Sequence, residues 1–281
     1  MIKRAVGLSL VCLLAACGGA QSPTSATAPS APSKPLRAGK SGVLFVVVYE
    51  ALLPVGCYND KLKKWDSGEK CFDVLPEDAS VQLESGRLVK VAGWRVPTPT
   101  SCTLSTPLIM FDEAEKEKPG TFAIWPPSTG RVERVSWDAT KGVNNIPEND
   151  RTRLGKAVVA SEVHVVQMAS SDLDGDGTSE VLYSVNALGF DPTNRKGISG
   201  LYLADHHSAD IVPIRSSDHA VFRIEAAVDV DDDGRKELWI SERTFHPNGM
   251  RTDSMVMVWH APGGLTPLAP QESCWPPTKI K

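Results

Sequence analysis

The amino-acid sequence predicts an all-β chain assembled from four-stranded units, and three observations predict it. Short apolar and β-branched runs recur along the chain, each bounded by Gly, Pro, Asn or Asp, as strands are. No window carries a long apolar stripe at helical spacing. The C-terminal half also repeats itself: an acidic loop beginning at Asp172 returns at Asp229, an offset of 57 residues. Of the 281 residues, 41% are hydrophobic and 23% charged, enough to fold around a core, which excludes a wholly disordered or fibrous chain. Lys and Arg number 30 against 34 Asp and Glu, a net charge of −4. With no positive balance to neutralise phosphates, a nucleic-acid partner is not expected.

The N-terminus reads as an address. Lys3 and Arg4 precede Ala5 to Ala16, a mainly apolar run. That run is too short to span a bilayer, which takes ~20 helical residues. It ends in Leu14-Ala15-Ala16-Cys17, which resembles the lipobox of bacterial lipoproteins. The resemblance implies a signal peptide of residues 1–16, cleavage before Cys17 and a diacylglycerol on its thiol. Gly18 stands where an Asp would resemble an inner-membrane retention signal, so a diderm source implies the outer membrane rather than the inner one. Removing residues 1–16 takes away Lys3 and Arg4 and no acid, leaving −6. Charge does not draw such a body to anionic lipid, so the acyl chains do the anchoring. Residues 17–41 form the anchor and a Pro/Ser/Ala-rich linker containing Pro23, Pro29, Pro32 and Pro35. With almost nothing to bury, the linker is expected to be a disordered tether. The globular domain is residues 42–281.

Cysteine usage agrees with export. Cys12 leaves with the signal and Cys17 takes the lipid, so Cys57, Cys71, Cys102 and Cys274 remain. An even count in an exported domain predicts two disulfides. Three connectivities exist, and the preferred one joins Cys57 to Cys71 locally and Cys102 to Cys274 across the domain. A zinc site is disfavoured because no CxxC pair occurs.

Within the domain, strands are expected at Val43–Tyr49, Leu88–Trp94, Phe122–Trp125, Val163–Met168, Val181–Val185, Leu201–Leu203, Val221–Val228, Leu238–Ile240 and Met255–Trp259. The repeats cover residues 160–215 and 220–270. Each has a strand, an acidic loop, a second strand, then a third and a shorter fourth: Leu201–Leu203 with Ile211–Ile214, and Met255–Trp259 with Leu265–Leu268. Phe122–Trp125 with Val132–Val135 reads as the same closing pair without a loop upstream. A four-stranded unit of this length is the size of a propeller blade.

The loops are Asp172-Leu173-Asp174-Gly175-Asp176-Gly177-Thr178-Ser179-Glu180 and Asp229-Val230-Asp231-Asp232-Asp233-Gly234-Arg235-Lys236-Glu237. Each puts carboxylates at positions 1, 3, 5 and 9 and Gly at 6. Ca²⁺ takes 6–8 oxygens at about 2.3–2.6 Å in a flexible cage, and alternate carboxylates on a wound loop converge on one centre. The position-7 residues, Thr178 and Arg235, are expected to add a carbonyl. An EF-hand would need an acid at position 12, where Tyr183 and Ile240 stand. Mg²⁺ is disfavoured by its strict octahedral geometry.

These loops resemble the DxDxDGxxD/E segments of FG-GAP/VCBS repeats, found in integrin α-subunit propellers and many bacterial surface proteins. The resemblance covers roughly residues 160–270. It implies a propeller-like array of about four four-stranded blades, two of them carrying calcium. The expected function is a membrane-anchored, calcium-stabilised binding or scaffold module of the cell envelope contacting protein or glycan. The alternative is an exported polysaccharide hydrolase or lyase on a propeller scaffold, and a third reading is a structural subunit of an envelope machine. No HExxH, GxSxG, phosphate loop or dinucleotide fingerprint appears, so no catalytic residue is assigned. His206-His207 with Asp210 is read as a solvated turn rather than a metal cluster. Trp65 is read as a packing residue rather than part of an exposed binding loop.

Overall fold

The computed structural model describes residues 37–48, 50–95, 107–111, 117–127, 132–134, 146–206, 208–261 and 264–273. The signal segment, Cys17, nearly all of the linker, Cys102 and Cys274 lie outside these residues. The described part is all-β, apart from one α-helix and a short 3-10 helix.

The first strands are β1 (Gly42–Val48), β2 (Ala51–Asn59), β3 (Lys64–Asp66), β4 (Ser80–Leu83), β5 (Leu88–Arg95), β6 (Leu108–Phe111) and β7 (Phe122–Trp125); the 3-10 helix spans Gly68–Val74. They run β1-β7-β4-β5-β6-β2, and β2 pairs back to β1, closing a six-stranded barrel with β3 appended to β2. β1 is apolar at every position because both of its faces are buried. Val43, Phe45 and Val47 point into the barrel with Leu52, Val81, Leu83, Ile109 and Phe111. Leu44, Val46 and Val48 point outward with Leu53 and Val55. Pro54 falls where the β1–β2 register slips, the kind of place a strand tolerates a residue without an N–H.

The second half holds β8 (Val132–Arg134), α1 (Glu148–Val158), β9 (Val163–Ser171), β10 (Glu180–Ala187), β11 (Ser199–Ala204), β12 (Ile211–Ser217), β13 (Ala220–Val228), β14 (Glu237–Phe245), β15 (Arg251–Ala261), β16 (Gly264–Pro267) and β17 (Gln271–Ser273). β9 to β12 form one antiparallel meander and β13 to β16 another; β8 lies on the free edge of β13, and β17 pairs with β15. The two meanders pack face to face through Leu182, Leu201, Phe222, Ile224, Leu238 and Ile240. The far face of the β13–β16 sheet, with Ala226, Val228, Trp239 and Met257, packs on the outward face of β1 and β2. The far face of the β9–β12 sheet is covered by Leu154 and Val158 of α1, which meet Val165, Tyr183 and Tyr202.

These packing faces correct the expectation of about four blades. The described residues show two four-stranded units, those with acidic loops, while residues 42–125 close into a barrel instead. Each outer face of the two-sheet stack is already covered, by the barrel and by α1. Phe122–Trp125 and Val132–Val135 are not a hairpin: β7 belongs to the barrel and β8 to the β13 edge. Nor was α1 expected, since only Leu154 and Val158 of its residues are buried.

One edge of β13 has no partner strand over most of its length, since β8 covers only Ala226 to Val228 of it among the described residues. The rest of the edge is satisfied by side chains. Gln167 donates to the Ile224 carbonyl at 2.9 Å and accepts the Ile224 N–H at 2.8 Å. The Ser184 hydroxyl donates to the Phe222 carbonyl at 2.6 Å, and Ser199 donates to that of Ala220. Unpaired buried backbone groups are costly, so these three polar residues are what a strand edge needs there.

Candidate metal centres

The loop of residues 172–180 joins β9 to β10, and that of residues 229–237 joins β13 to β14. Both wind in the same way, because each carboxylate accepts a backbone N–H further on. Asp172 accepts from Gly175 at 2.9 Å and Gly177 at 3.1 Å, Asp174 from Asp176 at 3.0 Å, and Asp176 from Thr178 at 2.6 Å. In the second loop Asp229 accepts from Gly234 at 3.2 Å, Asp231 from Asp233 at 3.3 Å, and Asp233 from Arg235 at 2.7 Å. The position-9 glutamates begin the next strand and reach back: Glu180 accepts the Leu173 N–H at 2.7 Å and Glu237 the Val230 N–H at 2.9 Å. Gly177 and Gly234 have φ of +91° and +100°, a region open to glycine and strained for other residues.

Among the described residues, ligand atoms lie within 4.8 Å of one another in three sets: Asp172, Asp174 and Glu180; Asp229, Asp231 and Glu237; and Asp176, Glu180 and His206. Asp233, Thr178 and Arg235 stand in the loops, but not in these sets. Glu180, Asp231 and Glu237 are only 3%, 4% and 2% exposed. Burial first, then the neighbouring Asp233 and Asp229, pushes Asp231 up to about 7. Burial, then Asp231, raises Glu237 well above the usual carboxylate range, and burial, then Asp174, raises Glu180. Oε1 of Glu180 is buried and makes no hydrogen bond. The two all-carboxylate sets, in which Glu180, Asp231 and Glu237 resist ionisation, have the donor chemistry of a hard divalent cation site.

The stacking of the two sheets sets the loops side by side. The Lys236 N–H donates to the Leu173 carbonyl at 2.8 Å. A methyl group on Gly175 would come within 2.5 Å of the Gly234 carbonyl oxygen. His260 Nε2 lies 3.0 Å from the Lys236 carbonyl. On the other flank, the segment entering β1 lies across the second loop. Arg37 and Lys40 donate backbone N–H groups to the Asp233 and Asp231 carbonyls at 2.9 and 2.6 Å, and Lys40 Nζ lies 2.8 Å from Asp232. So the last residues expected in the linker, 37–41, are held against the domain.

Sequence reasoning missed His206. The turn after β11 brings its ring onto the first loop, Nε2 3.1 Å from Asp176 Oδ2 and Nδ1 3.2 Å from Glu180 Oε1. The sequence predicts a solvated turn at His206-His207, and the ring of His206 instead lies on the first loop; His207 lies outside the described residues. The Cys57–Cys71 disulfide forms as expected, with Cα atoms 5.6 Å apart. Trp65 packs between Tyr58 and Trp259, ring centroids 5.1 and 5.7 Å away.

Away from the loops, a cleft of about 540 Å³ opens on β13, β14 and β15 beside Ser184 and Asn186, walled by Trp239 and Met255. Its carboxylates are engaged: Asp253 by Arg243 at 2.7 Å, Glu242 by Arg215 at 2.5 Å and Glu225 by Ser241 at 2.7 Å.

Compared with known proteins, the chain matches no family model, no curated protein and no solved structure.

Proposed function

We propose that this protein is a calcium-stabilised binding module of the bacterial cell envelope, anchored by a lipid on Cys17 and contacting glycan or protein. The observation that carries the reading is the pair of adjacent loops whose carboxylates crowd around the buried Glu180, Asp231 and Glu237, an arrangement a divalent cation relieves. Joining two strands of one sheet, each loop holds a hairpin when its cation is bound rather than driving a large motion. The cleft is the candidate contact site: its volume lies in the range of small-ligand pockets, and its paired Arg and carboxylate groups with Asn186 suit hydroxyl-bearing ligands. The three carboxylates of that cleft also keep the exported hydrolase or lyase in view. An acid–base pair there would need one carboxyl released from its cationic or hydroxyl partner.

Melting curves in EGTA and in calcium test the cation reading. Binding to the folded state alone stabilises by about 2.7 kcal/mol at a hundredfold excess over Kd. EGTA lowers the melting temperature and millimolar calcium restores it. A curve indifferent to both, with no metal found by elemental analysis, refutes the reading. Anchoring is tested by Cys17→Ser, which abolishes partition into detergent.

A further inference from the structure

We infer that the first acidic loop, completed by His206, is a mixed nitrogen–oxygen site selective for Zn²⁺, while the second loop remains an oxygen-only site. The inference rests on reading the loops as cation sites and refines which cation the first one selects.

The two loops share one pattern of carboxylates, so a difference between them comes from what the fold adds. To the first loop it adds an imidazole. His206 Nε2 is 3.1 Å from Asp176 Oδ2, a contact that fixes the ring plane. The other nitrogen, Nδ1, is 3.2 Å from Glu180 Oε1. That separation lacks the alignment of a hydrogen bond, for Oε1 is buried and makes none. Two ligands bound to zinc at about 2.0–2.1 Å with tetrahedral angles stand about 3.3 Å apart. Nδ1 and Oε1 are thus spaced as neighbouring ligands on one small dication, and Asp172 and Asp174 bring further oxygens to within 4.8 Å of the Glu180 carboxylate. A ligating His whose other nitrogen is held by a carboxylate is the usual way such a ring is oriented.

Among the described residues no histidine joins the carboxylates of the second loop; His260 lies beside it, but its Nε2 is 3.0 Å from the Lys236 carbonyl. Fifty-seven residues after His206 stands Gly263, which has no side chain to offer. The flank of that loop is taken instead by the backbone of Arg37 and Lys40. Ca²⁺ takes oxygen ligands, whereas imidazole suits zinc and its neighbours in the first transition row. One repeat therefore carries a built-in control for the other.

The test is calorimetric titration of the chelator-stripped full chain with zinc chloride and with calcium chloride, then with zinc in the presence of calcium. Zinc displaces calcium from one site and leaves the other loaded. His206→Ala lowers the zinc affinity at least tenfold and changes either calcium affinity less than twofold. His206→Gln, which keeps an amide to bond Asp176, gives the same zinc loss and guards against a folding defect. Zinc binding indifferent to both variants overturns the inference, as does an equal fall in zinc and calcium affinity, which would make His206 a support for the loop and not a ligand. Two calcium sites with no preference for zinc overturn this inference alone. No binding of either cation overturns the cation reading with it.

Discussion

Asp231 is 4% exposed and shares its loop with Asp229, Asp233 and Glu237. In the cation-free protein, burial and those neighbours hold its proton until about pH 7, against about 3.9 in the unfolded chain. The folded form then binds more protons than the unfolded form between about pH 4 and 7, so stability falls as pH rises through that window. At about 1.4 kcal/mol per pH unit, halved for solvent screening, the loss is on the order of 2 kcal/mol. Asp60, Asp191 and Asp218 are shifted the opposite way, so their contribution is lost only at lower pH. In EGTA, the melting temperature is expected to drop between about pH 4 and 7, and Asp231→Asn to flatten that drop; superimposable wild-type and variant profiles would refute the assignment. Under the proposed calcium reading, saturating calcium takes the place of the proton and is expected to reverse the slope. At this scale the carboxylates were legible because positions 1, 3, 5 and 9 are local in sequence. His206 was not, since nothing local says that the turn after β11 folds over a loop begun 34 residues earlier.

Strand β13 depends on side chains of another sheet. Gln167 satisfies both backbone groups of Ile224 from β9, and it is only 3% exposed. Gln167→Leu keeps the volume and removes both bonds, leaving a buried N–H and C=O unpaired. The expected cost is about 2–4 kcal/mol in urea unfolding; a loss under about 0.5 kcal/mol would show that water reaches that edge. In the barrel, Cys57 and Cys71 are buried in the interior cluster and close a loop over β3 and the 3-10 helix. Cys71→Ser is expected to cost about 3 kcal/mol, and reductant to lower the unfolding free energy of the wild type by a similar amount while leaving the variant unmoved. The elements themselves were mostly legible: Phe122–Trp125 appears as read, and β13 begins one residue early. The barrel was not, because β1 and β2 owe their apolar runs to two buried faces, and strands of a barrel and of a blade look alike in sequence. Its closure depends on pairing β1 with β7 and β4 with β7, contacts far apart along the chain.

Among the described residues the layers run barrel, β13–β16 sheet, β9–β12 sheet and α1, and the two loops meet where the two sheets pack together. The 57-residue repeat was legible, but the repeat alone does not say that the Lys236 N–H reaches the Leu173 carbonyl, nor that Gly175 lies on Gly234. If the two loops bind cations as proposed, those contacts are expected to make the sites thermodynamically dependent. A cation that orders Asp172–Glu180 also fixes the carbonyl receiving the Lys236 N–H, and so lowers the cost of ordering the second loop. Sites joined this way show interaction free energies of about 0.5–3 kcal/mol, whereas independent sites add to within about 0.5 kcal/mol. Asp174→Ala and Asp231→Ala each remove an inward carboxylate from one loop. Each is expected to take more than half of the stabilisation that calcium gives the wild type, and the double variant nearly all of it. The losses would then sum to more than the whole. Strictly additive single losses, measured as calcium-dependent shifts in unfolding free energy at one pH, would mean that the loops touch without communicating and that each sheet holds its cation alone.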